Sequence, residues 1–66
     1  MEIKLNGEKR QVAEGATIGR LLQDLGLENR NLAVEYNGDF LEDAAIEGQA
    51  IRAGDTLEIV RFVGGG

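Results

Sequence analysis

The spacing of the apolar residues changes along this chain, and that change limits the possible folds more than any other feature. In the first five residues, Met1, Ile3 and Leu5 alternate with charged residues, which is the period-two pattern of a half-buried strand. From Ile18 to Leu25 the apolar residues recur at every third or fourth position, as on one stripe of a helix. A chain with both patterns is expected to bury a helix stripe against one face of a sheet.

Two Asn-Gly pairs predict two hairpins. Asn6-Gly7 directly follows the first strand, and both residues tolerate the positive φ of a two-residue hairpin turn, so a return strand is expected over residues 8–12. A third strand is predicted over residues 32–36, followed by Asn37-Gly38 and a short return at residues 40–41.

Cap residues set the expected limits of the helix. Thr17 suits the N-cap and Gly26 suits the residue after the C-cap, which predicts a helix over residues 18–25. Gly19 inside this helix is expected to weaken it by about 1 kcal/mol relative to alanine. Residues 42–53 show no clean period, and one irregular helical turn is predicted over residues 42–48.

The last strand is predicted over residues 56–63, after a turn at Ala53-Gly54-Asp55. Its alternation places Leu57 and Ile59 on one face and Val60 and Phe62 on the other. If the first and last strands pair in the middle of the sheet, they are parallel and the helix lies in the crossover between them. The expected fold is therefore α+β, a mixed sheet covered on one face by one helix, which is the β-grasp arrangement of ubiquitin.

The residue inventory excludes several classes of chemistry. The 66 residues include no cysteine, histidine or serine, so thiolate and imidazole metal sites, disulfides and serine or cysteine nucleophiles are all excluded. Asp39, Glu42 and Asp43 cluster after a turn, but their spacing does not follow the calcium-loop pattern, and a solvated acidic loop is expected. We therefore predict no catalytic residue and no metal site.

The charge and hydropathy of the chain limit its partners and location. The net charge of −5 has the wrong sign for binding nucleic acid or an anionic membrane. The apolar runs are too short for a spanning helix, and the first residues do not resemble a signal peptide. A cytoplasmic protein is the expectation.

The three glycines after Val63 are the remaining candidate for function. We predict a folded domain over residues 1–63 and a flexible tail over residues 64–66. Glycine lacks Cβ, so such a tail can enter a narrow channel and leave the Gly66 carboxylate open to attack. Val60 and Phe62 are predicted to form an exposed apolar strip that leads into this tail and, with Val63, to bind a partner. An interaction module with an incidental glycine tail is the alternative of a different class.

Several segments resemble the ThiS family, the sulfur carriers of thiamine biosynthesis, and the resemblance covers essentially the whole chain. The segments that carry it are Ile3-Lys4-Leu5-Asn6-Gly7-Glu8, Thr17-Ile18-Gly19-Arg20-Leu21-Leu22, Ala33-Val34-Glu35-Tyr36-Asn37-Gly38, Gly54-Asp55-Thr56-Leu57-Glu58-Ile59-Val60 and Phe62-Val63-Gly64-Gly65-Gly66. The glycine ending alone is shared by many ubiquitin-like carriers. Its combination with the Gly-Asp turn and the apolar strand is more specific.

The resemblance implies a β-grasp carrier that is acted on by enzymes and is not itself an enzyme. A ThiF-like adenylating enzyme would use ATP to activate the carboxylate of Gly66, and sulfur from a persulfide would then displace AMP to leave a thiocarboxylate. A ThiG-like thiazole synthase would receive the sulfur. Gly65 and Gly66 match the family's tail directly, and Val60 and Phe62 match as docking residues. No bound cofactor is implied.

One segment departs from the family pattern. Members often have a Val-Pro-Arg-like segment after the second Asn-Gly turn, whereas this chain has Phe40-Leu41-Glu42-Asp43, with no proline or basic residue. The same tail also suits a carrier like the small subunit of molybdopterin synthase, or a ubiquitin-like modifier that is joined to lysines. Both remain alternatives at the level of sequence.

Overall fold

The computed structural model describes residues 1–28 and 31–62, and within these residues five strands form one sheet accompanied by two helices. The elements are β1 (Glu2–Leu5), β2 (Glu8–Gln11), α1 (Ile18–Asp24), β3 (Leu32–Tyr36), β4 (Asp39–Phe40), α2 (Asp43–Ile46) and β5 (Thr56–Arg61). Neither helix in this described part is long and apolar enough to cross a membrane.

The strands lie in the order β2-β1-β5-β3-β4. The central pair, β1 and β5, is parallel, with Leu5 opposite Leu57. The other pairs are antiparallel, and β3 pairs with β5 over five positions, from Leu32 opposite Arg61 to Tyr36 opposite Leu57. The predicted mixed sheet with its parallel first and last strands is therefore confirmed.

Both Asn-Gly pairs form the predicted turns. Asn6 and Asn37 each have a φ of 50°, and the glycines that follow them have φ values of 84° and 92°. These left-handed conformations suit Asn and Gly in a two-residue hairpin turn. The two hairpins are thus determined by local backbone preference.

The ends of several elements differ from the predictions by one residue. The strand β2 ends at Gln11, α1 ends at Asp24 with Leu25 as its C-cap, and β4 begins at Asp39. The final strand β5 ends at Arg61, and Val63, the end of the predicted strand, lies outside the described residues. The predicted irregular turn over residues 42–48 contains the short helix α2.

The core lies between α1 and one face of the sheet. Its sheet side includes Ile3, Val34 and Leu57, which are at most 2% exposed. The buried apolar residues of the core are Ile3, Ile18, Leu21, Leu22, Leu32, Val34, Ile46, Ile51 and Leu57. Since α1 has only seven residues, this burial and not helix propensity is what stabilises it.

The start of α1 is held by the segment that follows α2. The backbone N–H of Ile18 donates to the carbonyl of Gln49 at 2.9 Å, and that of Gly19 donates to the carbonyl of Glu47 at 3.0 Å. Thr17 Oγ1 accepts from the N–H of Arg20 at 3.2 Å, which confirms the predicted N-cap. A Cβ at position 19 would lie 2.6 Å from the Glu47 carbonyl oxygen, so Gly19 permits a close approach that alanine would prevent.

Candidate functional site

The strand β5 presents two different faces. Leu57 is fully buried and Ile59 is partly buried against the core, whereas Val60 is 46% exposed and Phe62 is 60% exposed. The predicted exposure of Val60 and Phe62 is therefore confirmed. Their role in partner binding stays a prediction, and Val63 and the tail Gly64, Gly65 and Gly66 lie outside the described residues.

We define the open face as the face of the sheet opposite α1. Its strand residues are identified from the register and the alternation of side chains. They are Glu2, Lys4, Lys9, Gln11, Ala33, Glu35, Phe40, Thr56, Glu58, Val60 and, just after β5, Phe62. The open face is therefore apolar near the end of β5, at Val60 and Phe62, and charged nearer the start of β5.

Phe40 is a member of the open face that the sequence interpretation missed. The sequence predicts only a short return strand beside an acidic loop here, whereas Phe40 lies opposite Glu35 on β3 and is 65% exposed. The signal was present in the sequence, because a two-residue turn at Asn37-Gly38 pairs Tyr36 with Asp39 and therefore Glu35 with Phe40.

The end of β5 is held on both sides. On one side the N–H of Phe62 donates to the carbonyl of Asn31 at 2.7 Å. On the other side the N–H of Ile59 donates to Asn6 Oδ1 at 2.8 Å. The backbone that presents Val60 and Phe62 is thus anchored up to the last described residue.

The start of β5 is held by the buried carboxylate of Asp55. It accepts hydrogen bonds from Tyr36 Oη at 2.6 Å, from the N–H of Arg52 at 2.7 Å and from Asn37 Nδ2 at 3.1 Å. Asn37 Oδ1 in turn accepts from the N–H of Thr56 at 2.8 Å. Asp55 is 8% exposed, so these partners replace water around its charge.

This hydrogen-bond network changes the acidity of both of its ionisable members. Burial raises the pKa of the Asp55 carboxyl, but the hydrogen bonds from Tyr36, Arg52 and Asn37 outweigh burial and hold that pKa below its usual value. The hydrogen bond to Asp55 is the main cause that raises the pKa of Tyr36. The sequence interpretation saw Asp55 only as a turn residue, because nothing local connects it to Tyr36.

Asp39, Glu42 and Asp43 are exposed around β4 and α2. In the part of the chain that the structure describes, no three carboxylates come together in a group that could hold a metal ion. The arrangement suited to function is therefore the open face and its apolar end.

Comparisons with known proteins agree on the kind of protein this chain resembles. The model of the ThiS family matches residues 3–66. Over 62 residues the chain is 34% identical to the sulfur carrier protein ThiS of Thermus thermophilus, covering 94% of this chain and 95% of that protein. The crystal structure of a thiamine biosynthesis protein, ThiS, from Geobacter metallireducens superposes with a TM-score of 0.82 at 33% identity, covering all of both chains.

A longer relative contains a similar segment. The chain is 39% identical over 66 residues to a thiazole synthase of Paramagnetospirillum magneticum. The match covers all of this chain but only 20% of that protein, so the chain spans about a fifth of the length of this relative.

Proposed function

This chain belongs to the ThiS family of sulfur carriers in thiamine biosynthesis, and we propose that it carries sulfur as a thiocarboxylate on Gly66. The observation that supports this chemistry most directly is the exposed strip of Val60 and Phe62. It sits on an anchored strand and leads towards the glycines that follow Val63. An anchored, exposed apolar strip that precedes a glycine tail in the sequence suits a group that other proteins must reach.

The proposed chemistry begins with activation of a carboxylate, which is inert to nucleophiles until an oxygen becomes a good leaving group. A carboxylate oxygen of Gly66 attacks the α-phosphorus of ATP on a ThiF-like adenylating enzyme, and pyrophosphate leaves. The terminal sulfur of a persulfide then attacks the carbonyl carbon and displaces AMP, which gives an acyl disulfide. A thiol reduces this disulfide by attacking the other sulfur, and the thiocarboxylate is released.

The amino-acid composition of this chain requires that partner proteins supply the sulfur chemistry of the proposed reaction. Since the 66 residues include no cysteine, both the persulfide and the reducing thiol come from other molecules. The role of this chain is to dock and to present the Gly66 carbonyl. Lacking a nucleophile–base pair of its own, it acts as a substrate of the enzymes that charge and discharge it.

A ThiG-like thiazole synthase is the proposed acceptor of the sulfur. The support is the Paramagnetospirillum magneticum protein, whose name is thiazole synthase and of which a segment similar to this chain forms about a fifth. A carrier segment within the same polypeptide as a synthase is what sulfur delivery between the two predicts, because linkage raises their effective concentration.

Mass spectrometry of the intact chain tests the proposal. The chain is incubated with a purified ThiF-like enzyme, ATP and a persulfide donor, with a reaction lacking ATP as the control. We expect the mass to increase by the difference between one sulfur and one oxygen atom, and the change to map to Gly66. A variant extended by two residues after Gly66 should fold normally and remain unmodified.

Three results would contradict the proposal. An unchanged mass with an enzyme that charges its own carrier would exclude the thiocarboxylate. Lysine-linked conjugates that survive denaturation and thiol reagents would instead identify a protein modifier. If the extended variant retains full function in cells, the glycine tail is incidental and the chain is an interaction module.

A further inference from the structure

Two pairs of like charges face each other across neighbouring strands of the open face. Glu35 of β3 lies opposite Glu58 of β5, and Lys4 of β1 lies opposite Lys9 of β2. Side chains directly opposite in an antiparallel pair share a face, with Cβ atoms about 4.5–5.5 Å apart, and like charges there destabilise the sheet. This sheet therefore keeps two unfavourable pairs on one surface.

The acidic pair has no neutralising partner in the described part of the chain. The ion pair found in residues 1–28 and 31–62 joins Arg20 and Asp24 on α1. Lys4 lies opposite Thr56 and is the diagonal neighbour of Glu58, but the two side chains form no ion pair. Within residues 1–28 and 31–62, no ion pair therefore neutralises Glu35 or Glu58.

The acidic pair is also bordered by the apolar residues of the open face. Phe40 lies opposite Glu35 on one side, and Val60 follows Glu58 on the same face of β5, about 7 Å further along the strand. A protein that covers Val60 and Phe62 therefore also covers the two carboxylates. Removing two like charges from water without a counter-charge is strongly unfavourable.

We infer that the adenylating enzyme places an arginine side chain between Glu35 and Glu58 when it binds this carrier. This inference rests on the proposed function. A guanidinium group can donate hydrogen bonds to both carboxylates, and its planar face can stack on the exposed ring of Phe40. Lysine offers a single point charge and lacks the flat face that Phe40 would contact.

The basic pair gives the docking an orientation. Lys4 lies level with Thr56 on the neighbouring strand and Lys9 lies opposite Lys4, so in the direction of β5 the open face runs from basic beside Thr56, through acidic at Glu58, to apolar at Val60. A partner turned end for end would bring its arginine over Lys4 and Lys9. Such like-charge contact disfavours that orientation, which leaves one orientation of the partner along β5.

Binding measurements on charge-neutral variants test the inference. The double variant Glu35→Gln/Glu58→Gln is compared with Glu8→Gln/Glu14→Gln, which removes the same two charges from exposed positions outside the open face. The affinity of each for a purified ThiF-like enzyme is measured at low and moderate salt, and its stability is measured by urea unfolding. We expect the first variant to bind at least about tenfold more weakly, with a smaller dependence on salt.

Measurements of unfolding stability distinguish a docking role of Glu35 and Glu58 from a structural role. Because Glu35 and Glu58 repel each other, the first variant should be as stable as the native chain or more stable. The control variant should bind the enzyme with nearly native affinity. Weaker binding together with undiminished stability supports the inference.

Three outcomes would overturn it. Native affinity in Glu35→Gln/Glu58→Gln would show that no cation meets the pair. An equal loss in the control would show that net charge alone matters, and a loss of stability would assign the pair a structural role. The conversion of Gly66 in the native chain is measured in parallel by mass spectrometry. If the native chain is converted and the variant binds normally, this inference fails and the proposed function stands. If the native chain is not converted, the inference and the proposed function both fail.

Discussion

The side-chain oxygen of Asn6 accepts a 2.8 Å hydrogen bond from the backbone N–H of Ile59, 53 residues further along the chain. The parallel register of β1 with β5 ends at Leu5 opposite Leu57, and the N–H of Asn6 donates to the Leu57 carbonyl at 2.9 Å. Asn6 therefore extends the contact with β5 by one side chain, immediately before Val60. One residue forms a hairpin turn and also anchors the strand that carries the candidate docking strip.

Replacing Asn6 tests this anchor. Asn6→Gly keeps a residue that favours positive φ but removes the acceptor, so we expect a loss of about 1 kcal/mol in unfolding free energy and faster amide exchange at Ile59. Asn6→Asp, which keeps the side-chain oxygen, is the matched control, and its amide exchange at Ile59 should stay as slow as in the native chain. Native exchange at Ile59 in Asn6→Gly would show that the hydrogen bond does not hold the strand.

Gly19→Ala separates helix propensity from packing. Propensity alone predicts a gain of about 1 kcal/mol. The new Cβ would lie 2.6 Å from the Glu47 carbonyl oxygen, so we expect a net loss of about 1–3 kcal/mol in urea unfolding. Gly48→Ala is the control, since a Cβ there has no neighbour within 4 Å, and its effect should be within about 0.5 kcal/mol. A more stable Gly19→Ala variant would contradict the close approach.

The lowered pKa of Asp55 predicts that the protein loses stability in acid. Its folded pKa lies below the ordinary value of 3.8, so its contribution is present above that value and is lost as the pH falls through the folded pKa. Asp55→Asn should be less stable than the native chain at neutral pH and should lack this part of the acid dependence. Urea unfolding at a series of acidic pH values measures both effects, and identical acid slopes in the two proteins would refute the prediction.

The raised pKa of Tyr36 predicts that the protein also loses stability as the pH rises into the alkaline range. Its pKa is raised above the ordinary value of 10.0, so its contribution is present below that value and is lost as the pH rises through the folded pKa. Tyr36→Phe should cost about 1 kcal/mol at neutral pH, because the hydrogen bond to Asp55 is lost. The difference in stability between the two proteins should shrink above the folded pKa. A constant difference across this range would rule out the Tyr36 hydroxyl as its source.

Val60 and Phe62 should affect binding more than stability. Val60→Thr keeps a β-branched residue and Phe62→Thr introduces one, both at exposed positions, so we expect unfolding free energies to change by no more than about 0.5 kcal/mol. Affinity for the adenylating enzyme should fall. Ile59→Thr, on the partly buried face of the same strand, is the control and should lose about 1–2 kcal/mol. A large loss of stability in Val60→Thr would place this side chain in the core.

The local features of the fold could be predicted because a few neighbouring residues encode each of them. The Asn-Gly turns depend on the φ preferences of two adjacent residues, and the N-cap depends on Thr17 and the N–H of Arg20. The alternation along β5 likewise predicts that Leu57 and Val60 lie on opposite faces, and Leu57 is buried whereas Val60 is exposed. Even the position of Phe40 follows from the Asn37-Gly38 turn, which places Phe40 opposite Glu35.

Other features depend on where distant segments meet. The need for glycine at position 19 comes from Glu47, and the environment of Asp55 comes from Tyr36 and Asn37. The opposition of Glu35 and Glu58 depends on the register of two strands that are separated by β4, α2 and the segment that follows α2. None of these contacts leaves a periodic signal in the sequence.

The element types, both hairpin turns, the exposed strip on the last strand and the family resemblance follow from the sequence alone. Backbone preferences and the alternation of apolar residues act over a few positions and can be read without a fold. Which charges share the open face, and which groups surround Asp55, can be seen in the folded structure but not in the sequence. These relationships depend on strand register, which is set by burying the whole core at once.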